Sequence, residues 1–210
     1  MAQSEASMEK ALIHQLTEDV SQWTYRKDIA DEDSLWANFR AKLNQNNLAV
    51  LDGVLLTNDE FHQVQQYMLD VAKSPYKAAL WLAGENGEAV IPLAREDAAK
   101  GTIHLMAVSN REIAGGRSSY EVINQFVSDK QDEEDRERHF DVTLLINGLP
   151  MIHIELKNQD HPFMDAFRQI KKYSLEHMMP KKVFTATEIT VAMIVTPNAL
   201  PTYSVESDSK

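Results

Sequence analysis

The sequence predicts an α/β fold in which a central mixed β-sheet is flanked by helices, within one domain spanning residues 1–210. Three observations carry this. The first third of the chain is written at helical spacing. Most of the remainder is written in short, strand-like runs. A helix-like stretch after the clearest hairpin then precedes a last strand, the order expected of a sheet with a crossover connection.

The elements follow in order. Met8, Ala11, Leu12 and Leu16 share one face of a helix predicted over Ser7–Thr17. Leu35, Trp36, Phe39 and Leu43 do the same over Ser34–Asn44. Thr57-Asn58-Asp59-Glu60 spells a capping box, so a third helix is predicted from Asn58 to Ala72. Ser74-Pro75 ends it and opens a short helix toward Trp81. Gly84 to Gly87 reads as a turn. Ala89–Ala94, Ile103–Val108 and Tyr120–Phe126 read as strands, with a loop at Gly115–Ser119. Phe140–Ile146 and Met151–Lys157 read as a hairpin about the turn signal Asn147-Gly148. A helix is predicted from Pro162 to Met178, and a last strand from Val191 to Thr196.

Composition bounds the function. A chain of 210 residues buries a core without staples. The absence of cysteine excludes a disulfide scaffold, a Cys-ligated zinc site and a thiol nucleophile, and fits a reducing cytoplasm. The opening MAQSEASMEK lacks the charge and apolar run of a signal peptide. No run approaches the ~18 apolar residues of a membrane span. The net charge of −11 runs against the basic surface of a lone DNA binder. The acidic runs Asp31–Asp33 and Asp129–Glu137 read as solvated faces. If this chain acts on DNA, another component is expected to hold the duplex.

The hairpin carries the chemistry. Side chains alternate across a strand, so Ile152, Ile154 and Leu156 face one way and His153, Glu155 and Lys157 the other. A carboxylate and an ammonium on one face of an apolar strand are costly to bury without partners. A loop spanning Asn147 to Leu149 puts Asp141 opposite Glu155, whereas a strict two-residue loop puts it opposite Ile154. Pro150 favours the longer loop, and the reading adopts it. Two converging carboxylates repel, and a divalent cation relieves the repulsion. Magnesium suits such a site, with manganese as the alternative, because it takes carboxylates, a carbonyl oxygen and waters. A bound metal acidifies water and stabilises charge on a phosphate. Lys157 would orient or help deprotonate that water, completing a set sufficient for phosphodiester hydrolysis. A bare Glu-x-Lys reads more simply as a strand-face salt bridge, and it is the preceding Asp-bearing strand that argues for a site. Gln169 and Tyr173 share a face of the following helix, beside Arg168, Lys171 and Lys172. Alone they read as the polar edge of a packed helix.

Phe140-Asp141-Val142, Asn147-Gly148-Leu149-Pro150, Ile154-Glu155-Leu156-Lys157, Ala166-Phe167-Arg168-Gln169-Ile170 and Tyr173 together resemble the nuclease core of the type I restriction enzyme motor subunit, in the PD-(D/E)XK class. Met8–Ile13, Leu56–Phe61 and Tyr120–Phe126 resemble further family segments, so the likeness covers nearly the whole chain. The resemblance implies the restriction-endonuclease-like fold and magnesium-dependent endonucleolytic cleavage of double-stranded DNA without sequence preference of its own. It implies metal ligation by Asp141, Glu155 and the Leu156 carbonyl, a catalytic role for Lys157, and support from Gln169 and Tyr173. Glu9 matches an extra acidic residue of the wider class, or is a solvated helix charge. Implied partners are specificity and modification subunits and a helicase/translocase motor in cis. The implied role is cytoplasmic defence against foreign DNA.

The family continues into an ATP-driven translocase, and no Gly-x-x-x-x-Gly-Lys-Ser/Thr phosphate loop occurs here. ATP use is therefore expected only of a missing motor part, and Ser204–Lys210 reads as a polar tail. His139 and His153, beside Asp141 and Glu155, raise a zinc or manganese hydrolase. No His-Glu-x-x-His follows, and both are read as lining the cleft or meeting solvent. The alternative from another class is a non-catalytic docking module that retains the nuclease fold within a restriction or DNA-repair complex. Loss of divalent-metal binding in Asp141→Ala or Glu155→Ala separates the two.

Overall fold

The computed structural model describes residues 4–18, 21–113, 116–128, 138–157, 189–194 and 202–205. Ser4 caps helix α1 (Glu5–Thr17) by accepting the Ser7 N–H, and α1 buries Met8, Glu9 and Ile13. Helix α2 (Glu32–Asn46) starts two residues before the predicted Ser34, because Asp31 and Ser34 form a capping box. Helix α3 (Asn58–Val71) has the capping box between Thr57 and Glu60 that the sequence spells. Helix α4 (Pro75–Ala83) has Ser74 as its cap and Pro75 in its first turn. It ends at Gly84, where φ is 54° and a Cβ would stand 2.0 Å from the Glu88 carbonyl oxygen, so only glycine fits. No described helix is long and apolar enough to cross a membrane.

The strands are β1 (Trp23–Tyr25), β2 (Glu88–Ala94), β3 (Thr102–Ser109), β4 (Tyr120–Ser128), β5 (Arg138–Ile146), β6 (Leu149–Lys157), β7 (Ile189–Ile194) and β8 (Thr202–Val205). A four-residue helix, α5 (Asn110–Ile113), follows β3. Six strands form one sheet in the order β1-β4-β5-β6-β7-β8, while β2 and β3 pair with each other in a separate two-stranded sheet. The β1–β4 and β6–β7 pairs are parallel and the rest antiparallel, so the main sheet is mixed, as expected. Two strands escape the sequence reading. Trp23-Thr24-Tyr25 is too short to establish a period. Ser204 and Val205, read as tail, instead belong to β8, which pairs with β7.

Three apolar clusters assemble the layers. Met8 and Ile13 of α1 cover one face of the main sheet, against Val122, Val142, Leu144, Ile154 and Leu156. Ile29 and Leu35 cover the opposite face, against Ile123, Phe126, Phe140 and Leu145. Helices thus flank the sheet on both sides. The third cluster joins α2 and α3 to the β2–β3 hairpin through Phe39, Leu43, Phe61, Val64, Ile91, Leu93 and Leu105, and Leu149 ties it to β6. Each such side chain contributes about 1.5–3 kcal/mol on leaving water.

Candidate active site

The β5–β6 hairpin turns on two residues. Asn147 and Gly148 have φ of 53° and 80°, the paired positive values of a type I′ turn. Ile146 pairs with Leu149 across it. The three-residue loop expected from Pro150 is therefore corrected. The register nevertheless shifts by one between Leu144 and Leu145, and beyond that irregularity Leu144, Thr143 and Val142 pair with Ile152, His153 and Ile154. Pro150 has no N–H to give a ladder, and the irregularity beside it takes up the extra residue. Continuing the pairs places Asp141 level with Glu155, the alignment the longer loop had been invoked to produce.

The faces divide as alternation requires. Ile154 and Leu156 are buried against α1, with Ile152 packed beside them. His153 and Glu155, on the opposite face, are also buried, at 5% and 2% exposure. Of the two readings of His153, lining the cleft or meeting solvent, its burial removes the second. Its ring stacks on Phe140 with centroids 4.5 Å apart, and its Nδ1 lies 2.7 Å from the Thr143 hydroxyl. His139 is exposed.

Asp141 is half-buried, and its Oδ2 accepts the backbone N–H of Leu156 at 2.8 Å. A side chain here takes a bond that a strand backbone would normally take. That bond ties the Asp141 carboxylate to β6, one residue past Glu155. Lys157 closes β6 and pairs through its backbone register with Ile194; its side chain lies outside the described residues. So do Gln169, Tyr173 and the helix predicted over Pro162–Met178.

The solvated reading of Glu9 is overturned. Glu9 is 8% exposed, and its carboxylate accepts from the side-chain amides of Asn124 and, at 2.6 Å, Gln125. The Tyr25 hydroxyl donates to Asn124 Oδ1 at 2.7 Å. Burial, then the Glu9 carboxylate, push the Tyr25 phenol above its ordinary range. Gln125 lies between the pairs Asn124–Val142 and Phe126–Phe140, level with Asp141. The sequence carried one signal of this arrangement. Asn124-Gln125 sets two polar residues in succession into the apolar run Val122 to Phe126, where one face or the other must lose its alternation.

A further buried carboxylate on the same strand has a structural role. Glu121 is 2% exposed; it bonds the Arg26 guanidinium, accepts from Asn38 Nδ2 at 2.8 Å and faces Lys42 Nζ at 3.1 Å. It ties α2 and the segment after β1 to β4. Glu60 is similar: it accepts from the Thr57 and Glu96 backbone N–H groups, each at 3.1 Å, and pairs with Arg95 at 2.8 Å.

Among the described residues, no three His, Asp or Glu side chains converge as a cation cage. Asp141 and Glu155 bring two carboxylates to the open end of the hairpin, where Leu156 adds a backbone carbonyl to β6. Such hard donors fit magnesium, which keeps several waters, better than they fit zinc.

A mixed sheet with helices on both faces, carrying paired acids at one end of a central hairpin, is compatible with the restriction-endonuclease-like class. The family described as "Type I restriction enzyme R protein N terminus" matches residues 2–195, and the chain belongs to that family. It is 30% identical over 210 residues to the type I restriction enzyme SauCOLORF180P endonuclease subunit of Staphylococcus aureus (strain COL), covering 99% of this chain and 20% of that protein. It is 29% identical over 171 residues to the SsaAORF53P endonuclease subunit of Staphylococcus saprophyticus, covering 81% of this chain and 16% of the relative. The EcoprrI endonuclease subunit of Escherichia coli is 28% identical over 176 residues, covering 83% of this chain and 50% of that protein. The chain thus spans about one fifth of the length of the first of these relatives.

Proposed function

We propose that this chain is the nuclease domain of a type I restriction enzyme endonuclease subunit, acting on double-stranded DNA with magnesium, or manganese in its place. The observation that carries the reading is the bond from the Leu156 N–H to Asp141. It ties one carboxylate to the strand that carries a second, buried one at the end of a two-stranded platform, an arrangement suited to a cation-assisted hydrolase. Family membership over residues 2–195 supports it.

In this reading Asp141, Glu155 and the Leu156 carbonyl would hold the cation, which when bound would acidify water and stabilise charge on the phosphate. Asp141 is oriented by β6 itself. Glu155 is buried, as are His153 and Thr143. Lys157 follows Glu155 by two residues in the sequence, and its ammonium would position the attacking water. Gln169 and Tyr173 support the phosphate. The domain has no sequence preference of its own. Specificity and modification subunits, and a translocase motor in cis, bring it to DNA, which accords with a net charge of −11.

The test is magnesium or manganese titration by calorimetry, on the wild type, Asp141→Ala and Glu155→Ala, followed by plasmid cleavage in the assembled enzyme. Binding and cleavage lost together in both variants is the expected result. Cleavage by the assembled enzyme that survives both substitutions would reject the assignment. An assembled enzyme that does not cut, with no metal bound even beside a DNA duplex, would leave the docking-module reading.

A further inference from the structure

Four non-glycine residues among those described have positive φ. Asp52, Asn86 and Asn147 lie in turns, where such values are ordinary. Gln125, at 49°, lies inside strand β4. A residue with a Cβ in the left-handed region costs about 1–2 kcal/mol, and a strand offers no turn to require it.

The local consequence is visible in the packing. Val122 belongs to the cluster under α1, and Ile123 to the cluster on the opposite face. Strict alternation would return Phe126 to the α1 side, yet it packs with Ile123. The alternation therefore slips at Asn124-Gln125, which allows both side chains to reach Glu9. The partner strand slips at the same level. Phe140 packs with Phe126, and Val142 packs under α1, although two residues apart they should share a face. Asn124–Val142 and Phe126–Phe140 keep one register, so no residue is inserted; Gln125 and Asp141 stand opposite each other at a paired break. Asp141 is released from the pleat, and its carboxylate reaches the Leu156 N–H of the next strand.

We infer that the left-handed backbone of Gln125, fastened by its amide to Glu9, is the positioning device for Asp141. Gln125 acts through the paired break in β4 and β5, and its role as an aid to cation binding rests on the function proposed above. The bond from Gln125 Nε2 to Glu9 Oε2, at 2.6 Å, offsets the cost of the backbone conformation.

Glycine and alanine at this position separate backbone from side chain. Both delete the amide, but only glycine removes the steric cost. On the 210-residue chain, amide hydrogen exchange of Leu156 reads the Asp141 contact directly and without metal. In Gln125→Ala, Leu156 should lose about tenfold in protection relative to the neighbouring ladder amides of Thr143 and Ile154. Gln125→Gly should restore it to within about threefold of the wild type. Manganese affinity should follow the same order. Equal protection of Leu156 in all three proteins would overturn the inference. So would equal loss in the alanine and glycine variants, because the effect would then belong to the amide alone. Should Gln125→Ala unfold, Glu9→Gln in the Gln125→Gly background decides: protection kept there supports the backbone role, and protection lost rejects it. A wild type that binds no metal even beside a DNA duplex, in an assembled enzyme that does not cut, but whose Leu156 responds as described, rejects the proposed function and leaves the positioning role standing.

Discussion

The two ends of the β5–β6 hairpin are built from the same pair of strands and treated differently by the rest of the molecule. At the closed end the Asn147 side chain and N–H are tied to neighbouring elements. Asn147 donates its side-chain amide to the Ala107 carbonyl of β3 and its backbone N–H to the Ser119 carbonyl, and it accepts the Ser119 N–H. Gly148 lies against α2 so closely that a Cβ would stand 2.9 Å from Phe39 Cα. This turn is buried and fused to both sheets and to a helix. At the open end Asp141 turns out of the pleat to meet a backbone N–H, and Glu155 is buried. The difference shows where rigidity is supplied and where the proposed chemistry would lie. A turn anchored on three sides fixes the register of the first pairs, and the register shift between Leu144 and Leu145 then brings the two acids level, about 6–8 residues from the turn at ~3.3 Å per residue of strand.

Breaking the lock should cost most. Gly148→Ala combines a left-handed φ of 80° with a backbone clash. It should destabilise the chain by about 3 kcal/mol, read as a lowered midpoint in urea. Asn147→Ala should cost about 2 kcal/mol through its lost buried hydrogen bonds. Either result below about 0.5 kcal/mol would mean that the turn is not the anchor.

Substitution at the open end should leave the fold and remove the function. Asp141→Asn and Glu155→Gln are each expected to change stability by under about 1 kcal/mol, while divalent-metal affinity falls by at least roughly 100-fold. Equal losses of stability at the two ends would erase the contrast.

Thr143→Val lies between the ends. It removes the hydroxyl that faces His153 Nδ1 at 2.7 Å, and a loss of about 1 kcal/mol is expected. A smaller effect is spectroscopic. Tyr25 should form its phenolate above the ordinary range, with the absorbance midpoint moving back toward it in Glu9→Gln. Because the folded phenol is the weaker acid, its contribution to stability is present below pH ~10 and is lost as pH rises through the folded value. Asp28 works in the opposite sense. Its hydrogen bond with Arg26 lowers it to about 2, so its small contribution is present above pH ~4 and is lost as pH falls toward the folded value. A Tyr25 titration indifferent to Glu9→Gln would argue against the buried carboxylate beside Asn124.

Much of this could be read without coordinates where the signals were local. The capping box Thr57-x-x-Glu60, the turn residues Asn147-Gly148 and the period-2 pattern of Ile152, Ile154 and Leu156 each act over a few residues, and each appears where the sequence places it. The hairpin was harder. Its acids align as expected, but through a two-residue turn and a shifted register rather than a longer loop, because a proline without an N–H and a turn with two positive φ values could reach that alignment by either route. Gln169 and Tyr173 stand on the sequence resemblance.

By itself the sequence determined the four long helices and the strands β2 to β6 in their order, the inward faces wherever alternation holds, and the presence of two acids and a lysine toward one end of a hairpin. These follow from periodicity, capping and turn chemistry, all of short range. Only the tertiary structure decided which charges are buried and what they bind. Glu9 had to meet Asn124 and Gln125, more than a hundred residues away, before it ceased to be a helix surface charge. Glu60 had to meet Arg95, and Glu121 had to meet Arg26. The cost of burying a carboxylate is set by the groups that converge on it in space, and no pattern within a single element specifies those groups.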